Sequence, residues 1–476
     1  MAYNISDANI RAIVEQVVAE ISRGQRQTGS SAPVRSNNGV FSDINAAVEA
    51  AHQAFIKFQS FGPQQRKRVL DEVRRVVLEN KELLSRMVYE ETQMGRYEDK
   101  ILKHIFAATA TPGVEQLQTQ SWSGSNGLAV EEHAPFGVIG AILPSTHPSE
   151  TMVNNTIMML ASGNTVVFNA HPAAKKVSAY TLQLLNATMV QAGAPENLIA
   201  CVAEPTIESA NQLFHHPKVR LLVVTGGPAV VKAAMQSAKK VIAAGPGNPP
   251  VIVDETADID RAAERITKSA AFDNNVLCTA EKEVFVVASV FEKFMTAMER
   301  NGNKRLSAPQ IANLASKAFN PDKSGHLVVN RSLVGRNASV LAQEVGLSVS
   351  ASTPLLFGET DRKHVFVQEE QLMPFMPVVR VNNFDEAFEA ALEAEHGFSH
   401  TASIFTCDMS RATKFARAAN CSIFVINGGT SQGNGGGEGE GTLSFTIATP
   451  TGEAITRPST FTRTRRIMTA GSMRFI

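Results

Sequence analysis

The chain of 476 residues is 43% hydrophobic and carries 45 basic against 45 acidic side chains. That length allows about three domains around a sizeable core, which excludes a largely disordered chain. Because the charges cancel, there is no global electrostatic footprint for nucleic acid or an anionic membrane, and small molecules are the expected partners.

At the start of the chain, Ile10, Ile13, Val14, Val17, Val18 and Ile21 recur three and four apart behind Ser6, a residue suited to capping. Residues 1–21 therefore read as an amphipathic helix with one apolar stripe. Asp7, Arg11, Glu15 and Glu20 interrupt any continuous apolar region, and no small-residue cleavage site follows, so a secretory signal is not expected. Residues 22–39 are polar and read as a flexible linker. The stripe needs a partner surface, either another protein or this chain's own body or a sister subunit.

From Val40 to about Thr111 the pattern is helical, with Ala46, Ala47, Ala50, Ala51 and Ala54 followed by charged amphipathic stretches around Arg66 to Arg86. Short β-rich runs at Gly137–Leu143, Thr165–Phe168, Leu221–Val224 and Val251–Val253 then alternate with helix-length segments, the pattern of crossover units on a parallel sheet. Apolar runs such as Pro135–Pro144 fall far short of the roughly 20 residues that cross a bilayer. A second set of runs, at Val284–Val287, His364–Val367, Val378–Val381, Ala402–Phe405 and Ser422–Ile426, repeats the alternation. The expected fold class is α/β, with two doubly wound domains in series.

Between the two sets lies Cys278, in the segment Asp273-Asn274-Asn275-Val276-Leu277-Cys278-Thr279. Cys combines a small thiolate fraction near pH 7 with high nucleophilicity, so a lone Cys in a polar loop is a candidate for covalent catalysis. The alternative is a buried small hydrophobe. Cys201, Cys278, Cys407 and Cys421 lie far apart with no CxxC pair, which argues against disulfides and structural zinc and fits a reducing cytoplasm. Thr225-Gly226-Gly227-Pro228 places two glycines at a strand-to-helix turn whose amides could face a phosphate, although steric reasons alone produce such turns. His171 and Pro172 also follow a strand, where open α/β sheets bind ligands, but His171 could equally be a surface histidine. His215 and His216 are adjacent and point apart, and no HExxH occurs, so no catalytic metal is expected.

Together, Pro135-Phe136-Gly137-Val138-Ile139-Gly140, Val224-Thr225-Gly226-Gly227, Gly245-Pro246-Gly247-Asn248-Pro249-Pro250, the Cys278 segment and Ser444-Phe445-Thr446-Ile447-Ala448 resemble the aldehyde dehydrogenase superfamily. The resemblance covers roughly residues 40–476 and is strongest to the CoA-acylating branch, which includes microcompartment propionaldehyde and acetaldehyde dehydrogenases. It implies a coenzyme-binding domain over 40–114 and 135–244, a catalytic domain over 245–440, and a β-arm for oligomerisation over 115–134 and 441–476. It also implies that Cys278 is the nucleophile, that Thr225, Gly226, Gly227, His171 and Pro172 serve the nucleotide, and that Glu370 contacts the nicotinamide ribose, with Glu369 one position away. By composition alone Gly428–Gly441 is a flexible linker; in the family it lies near the substrate funnel.

Departures from the hydrolytic members carry the functional expectation. Ala243 stands where their glutamate activates water, so hydrolysis loses a general base worth on the order of a hundredfold to ten-thousandfold. A thiol such as coenzyme A supplies its own thiolate fraction and suffers less. Thr146, in Pro144-Ser145-Thr146-His147-Pro148, matches the asparagine that stabilises the oxyanion, and its hydroxyl could substitute. His171 replaces a lysine that holds the adenosine ribose. The expected activity is NAD-dependent oxidation of propionaldehyde, acetaldehyde or lactaldehyde to acyl-CoA through a cysteine thioester, in a homo-dimer or homo-tetramer. Residues 1–21 look like an encapsulation peptide that docks on shell proteins, placing the enzyme in the lumen of a bacterial microcompartment. The alternatives are a hydrolytic aldehyde dehydrogenase and a non-catalytic shell-associated scaffold.

Overall fold

A computed structural model of the chain describes residues 38–322, 325–437 and 439–473. The expected helix over residues 1–21 and nearly all of the expected linker lie outside the described residues.

Four helices open the described chain: Ile44–Phe58, Pro63–Glu79, Lys81–Thr92 and Tyr97–Thr109. The first starts where the Asp43 carboxylate accepts the N–H groups of Asn45 at 2.9 Å and Ala46 at 3.1 Å, a cap worth about 1 kcal/mol. Its buried face is Ile44, Ala47, Val48, Ala51, Ala54 and Phe58, at helical spacing. Val40–Phe41, expected to be helical, instead form a short parallel strand against Cys201 and Val202. Two β-branched or aromatic residues ahead of Asp43 suit a sheet edge better than a helix.

The first sheet has six parallel strands in the order Val40–Phe41, Ile199–Val202, Thr165–Asn169, Val138–Ile142, Val219–Thr225 and Lys240–Ala244. The second has seven, in the order Lys304–Arg305, Leu356–Thr360, Phe375–Val381, Glu283–Val287, Pro250–Val253, Thr401–Phe405 and Ile423–Ile426, also all parallel. Both faces of each sheet are covered, so central strands such as Val138–Ile142, Thr165–Asn169, Pro250–Val253 and Glu283–Val287 are buried along their whole length. Leu221 and Val223 enter one core and Leu222 and Val224 the opposite one. In the second sheet, Val284 and Val286 enter one core and Phe285 and Val287 the other. Each such fully buried side chain contributes roughly 1.5–3 kcal/mol.

The run His364–Val367, expected as a strand, is a single helical turn over Val365–Gln368. The His364 ring nitrogen accepts the N–H of Phe366 at 3.2 Å and starts the turn, while Phe366 buries its ring 4.4 Å from that of Phe375. Four apolar residues carry no period that separates strand from helix.

A third sheet is antiparallel, with Gln120–Gly124, Gly127–Pro135 and Thr462–Ala470 side by side. The segment leading to its last strand packs Leu443, Phe445, Ala448 and Phe461 into the core of the first sheet. Trp122, Ile467 and Met468 on this sheet are about half exposed, at 49%, 50% and 57%. Among the described residues no helix is long and apolar enough to cross a membrane.

Candidate active site

The Ile259–Ala271 helix ends in a tight turn, Phe272–Asn275, where Asp273, Asn274 and Asn275 take positive φ angles of 49°, 55° and 65°. Three left-handed residues in a row are costly for L-amino acids, and Asp and Asn tolerate them best. Such a conformation persists only when its surroundings over-determine it, and each of the three is tied down. Asp273 donates its N–H to Asp99 at 2.8 Å, and its carboxylate accepts from the Arg96 N–H (2.8 Å), Lys100 Nζ (3.1 Å) and Lys103 Nζ (2.6 Å). Asn274 accepts from Arg96 Nε at 2.7 Å and donates to the Gly335 carbonyl at 2.9 Å. Asn275 donates to the carbonyls of Ala270 and Glu281, and Lys282 Nζ donates to the carbonyls of Asn275 and Leu277 at 3.0 and 3.1 Å. Gly95 is required here, because a Cβ would fall 1.8 Å from the Asp273 carboxylate.

This turn delivers Cys278, half-buried, into a ring of titratable groups. Burial pushes its thiol up to about 12, and the Glu370 carboxylate adds to the effect; the Lys282 and Lys103 ammonium groups and the cysteine's own N–H oppose it. Glu370 is itself pushed up to about 7 by burial, against the pull of Lys282 and a hydrogen bond from the Gly247 N–H. Glu369 instead faces His326, 3.2 Å from its Nε2. Of the two adjacent glutamates, the one directed at Cys278 is therefore Glu370.

Gly247 occupies the centre of the site. A Cβ there would lie 2.6 Å from the Cys278 carbonyl and 2.9 Å from the ring of His400, so only glycine lets these two residues meet across it. Asn248 pins the segment by donating to the carbonyls of Val367 at 2.9 Å and Ala394 at 2.8 Å. His400 is fully buried, with Nδ1 2.9 Å from the Thr401 hydroxyl and Nε2 lacking any hydrogen-bond partner among the described residues. Burial and the Lys282 charge depress its pKa to about 4, so the ring is neutral near pH 7 and can accept a proton. The sequence reading missed His400. Its only local signal is a titratable residue at the head of the apolar strand Thr401–Phe405, which reads as core.

A cavity of about 300 Å³ is lined by Phe106, Phe272, Leu277, Thr279, Leu443 and Phe445. Leu277 and Thr279 flank the cysteine in the chain, so the cavity adjoins its segment; the volume and apolar walls suit a small organic chain. Gly435, Gly436 and Gly437 also line it, and the segment is no linker. Thr430–Asn434 form a 3₁₀ turn, held where the Thr430 N–H donates to Glu281 at 2.7 Å and the Ser431 N–H to Ser269 at 3.1 Å.

The residues assigned to a nucleotide lie at the carboxyl edge of the first sheet. Thr225 closes its strand and bonds the Thr446 hydroxyl at 3.0 Å, and Gly227 precedes the Pro228–Met235 helix with nothing within 4 Å of a Cβ position. His171 accepts the Ala173 N–H at 3.1 Å ahead of a 3₁₀ turn that begins at Pro172, and its pKa is lowered by burial and by Arg331. Thr146 is half-buried, with its hydroxyl 2.9 Å from His147 Nδ1 and its carbonyl 3.5 Å from Lys100 Nζ. No hydrogen bond ties it to Cys278. Ala243 is fully buried at the end of its strand, where its N–H donates to the Thr451 hydroxyl at 3.0 Å. A methyl group there has no proton to exchange.

Residues 34–442 match the aldehyde dehydrogenase family. The chain is 43% identical over 465 residues to the acetylating acetaldehyde dehydrogenase EutE of Salmonella typhimurium, covering 97% of this chain and 99% of that protein. It superposes with a TM-score of 0.89 and 43% identity on a propionaldehyde dehydrogenase of Rhodopseudomonas palustris solved with bound CoA and an acylated cysteine, covering 93% of this chain and 100% of that one. A propionaldehyde dehydrogenase from the fucose utilisation bacterial microcompartment of Clostridium phytofermentans gives a TM-score of 0.88 at 42% identity, covering 91% of this chain and 99% of that one.

Proposed function

The chain belongs to the aldehyde dehydrogenase family, and from that premise we propose that it is a CoA-acylating enzyme, oxidising a small aldehyde with NAD to acyl-CoA through a thioester on Cys278. The observations that carry this reading are an aldehyde-sized apolar cavity lined by both neighbours of Cys278, a neutral His400 whose Nε2 is unpartnered and whose ring meets the Cys278 carbonyl across Gly247, and the buried methyl of Ala243 at the position that the family resemblance gives to the water-activating glutamate. Relatives named for acetylating activity and for bound CoA with an acylated cysteine support it.

The residues fit a dinucleotide. Gly227 is exposed at the sheet edge ahead of the Pro228–Met235 helix, with open space around its Cα, and Glu370 keeps carboxylate capacity beyond its bond to Gly247. When bound, NAD supplies the hydride acceptor and CoA the thiol that receives the acyl group. As the Cys278 sulfur bonds the aldehyde carbon, its proton passes to Glu370, whose pKa near 7 suits exchange at neutral pH. The second carboxylate oxygen of Glu370 remains for the nicotinamide ribose. The oxyanion is assigned to the Cys278 N–H and the Thr146 hydroxyl. Loss of hydride leaves the thioester on Cys278. His400 Nε2 then takes the proton of the incoming thiol, the new sulfur bonds the acyl carbon, and the Cys278 sulfur leaves as a thiolate that takes back the proton held on Glu370, while His400 gives its proton to solvent. Water finds no comparable base at Ala243.

The antiparallel sheet with Trp122, Ile467 and Met468 on its surface is assigned as the arm of a homo-oligomer. Residues 1–21 are assigned to microcompartment shell proteins, in keeping with the microcompartment relative.

The testing experiment measures NADH and products from propionaldehyde with and without CoA. Propionyl-CoA is expected as the product, with turnover falling at least about a hundredfold when CoA is omitted. Free acid at an undiminished rate without CoA would place the enzyme in the hydrolytic class.

A further inference from the structure

Beneath the nucleophile lies a cluster of buried charges that the reaction scheme leaves without a task. Lys100 and Lys103 come from the Tyr97–Thr109 helix, Glu150 from the first turn of the Pro148–Ala161 helix, and Asp273 from the left-handed turn. All four are at most 1% exposed. Lys103 Nζ lies 2.6 Å from Asp273 and 3.8 Å from Glu150, whose two oxygens have no hydrogen-bond partner among the described residues. A buried ion cluster is a poor source of stability, since apolar side chains of the same volume commonly do as well or better. Its value here is placement. The two lysines belong to the segment that carries the first sheet's helices, Asp273 to the segment of the second, and the ion pair joins them five residues ahead of Cys278.

We propose that Lys103 is a positioning residue for the nucleophile: its buried ammonium, tied to Asp273, clamps the Asp273–Asn275 turn and holds a positive charge beside Cys278. Lys103 suits this better than Lys100. It approaches Asp273 more closely than Lys100 does, at 2.6 against 3.1 Å, and it lines the cavity together with Leu277 and Thr279, the two neighbours of Cys278, whereas Lys100 does not line it and also donates to the Thr146 carbonyl. Asp273, Glu150 and Asp99 keep Lys103 protonated despite burial. The neighbouring ring of His147 is held neutral by burial and by both lysines, and burial likewise depresses His104. The charges that act on Cys278 are then Glu370 on one side and Lys282 and Lys103 on the other, so Lys103 shares the task of favouring the thiolate with one other cation.

This inference rests on Cys278 as the nucleophile, and its test separates the two ideas. Alkylation of Cys278 by iodoacetamide is followed at pH 8 by peptide mapping in the full-length wild type, Lys103→Met and Asp273→Asn, each checked for native circular dichroism. Losing a neighbouring cation raises a thiol pKa by about one unit. Because the intrinsic reactivity of the thiolate rises in partial compensation, alkylation should slow by roughly threefold to tenfold in Lys103→Met. Asp273→Asn removes the counter-charge and should speed it. Acyl-CoA turnover should fall about tenfold to a hundredfold in both, because the turn loses its clamp. A merely structural role would not drive alkylation in opposite directions while turnover falls in both. Unchanged alkylation rates, or rates moving the same way in both variants, would overturn the proposal. If Lys103→Met does not fold, Lys103→Gln and Asp273→Asn carry the same comparison. Full turnover in Cys278→Ala would instead overturn the nucleophile assignment.

Discussion

Replacing Cys278 with alanine is expected to lower acyl-CoA formation by about ten-thousandfold or more, the scale on which removing a covalent nucleophile acts. Every other part of the site survives the change. The side chain is half-buried, so the cavity created is small and the fold should lose no more than about 1–2 kcal/mol. Glu370 and His400 keep their places, since Gly247 contacts the Cys278 carbonyl rather than its sulfur. No other cysteine can stand in. Cys201 is buried in the first sheet, Cys407 is exposed on the surface, and Cys421 has its thiol proton held on by burial and by the neighbouring Glu395. Steady-state NADH formation with propionaldehyde, NAD and CoA checks the prediction, with coenzyme binding measured separately to show that the site is intact. Serine at this position should also be nearly inactive, because a hydroxyl does not ionise where even the thiol is held up to about 12.

Replacing His400 with alanine should act on the second half of the reaction. Oxidation to the thioester uses Cys278 and Glu370, whereas discharge to CoA uses the neutral Nε2 of His400. Loss of a general base costs on the order of a hundredfold to ten-thousandfold, so a pre-steady-state burst of NADH should persist while the rate after it falls by about that factor. The thioester should then accumulate on the variant. Because the wild-type imidazole has a pKa of about 4, it is in its accepting form throughout the neutral range. The wild-type discharge rate should therefore show no inflection assignable to His400 between pH 6 and 8. Loss of the burst together with the slow phase would instead give His400 a part in the oxidative half.

The sequence reading reached the α/β fold because the strands announce themselves. Runs such as Val284–Val287 are apolar at every position, and both faces prove to be buried. It failed at His364–Val367, where four residues show no period and a histidine cap decides the conformation. It selected Cys278 through chemistry and motif. It placed Glu370 in the site with Glu369 one position away, and only the packing of the turn shows that Glu370 faces Lys282 while Glu369 meets His326. His400 and Lys103 stayed hidden for a different reason. Each lies more than 100 residues from Cys278 in sequence, in an ordinary strand or helix, and acquires meaning only when Gly247 and Asp273 bring it to the cysteine. The Gly-rich stretch misled in the opposite sense, since its composition signals flexibility while its backbone packs against Phe106 and Leu443.

The central claim is that the acyl group passes through Cys278 to CoA. The most direct test incubates the protein with propionaldehyde and NAD in the absence of CoA, maps acylated peptides by mass spectrometry, and then adds CoA. The expected result is a propionyl group confined to the peptide containing Cys278, lost on adding CoA with the appearance of an equivalent amount of propionyl-CoA. NADH formed with no acylation of Cys278, or an acyl group on Cys278 that CoA does not remove, would contradict it.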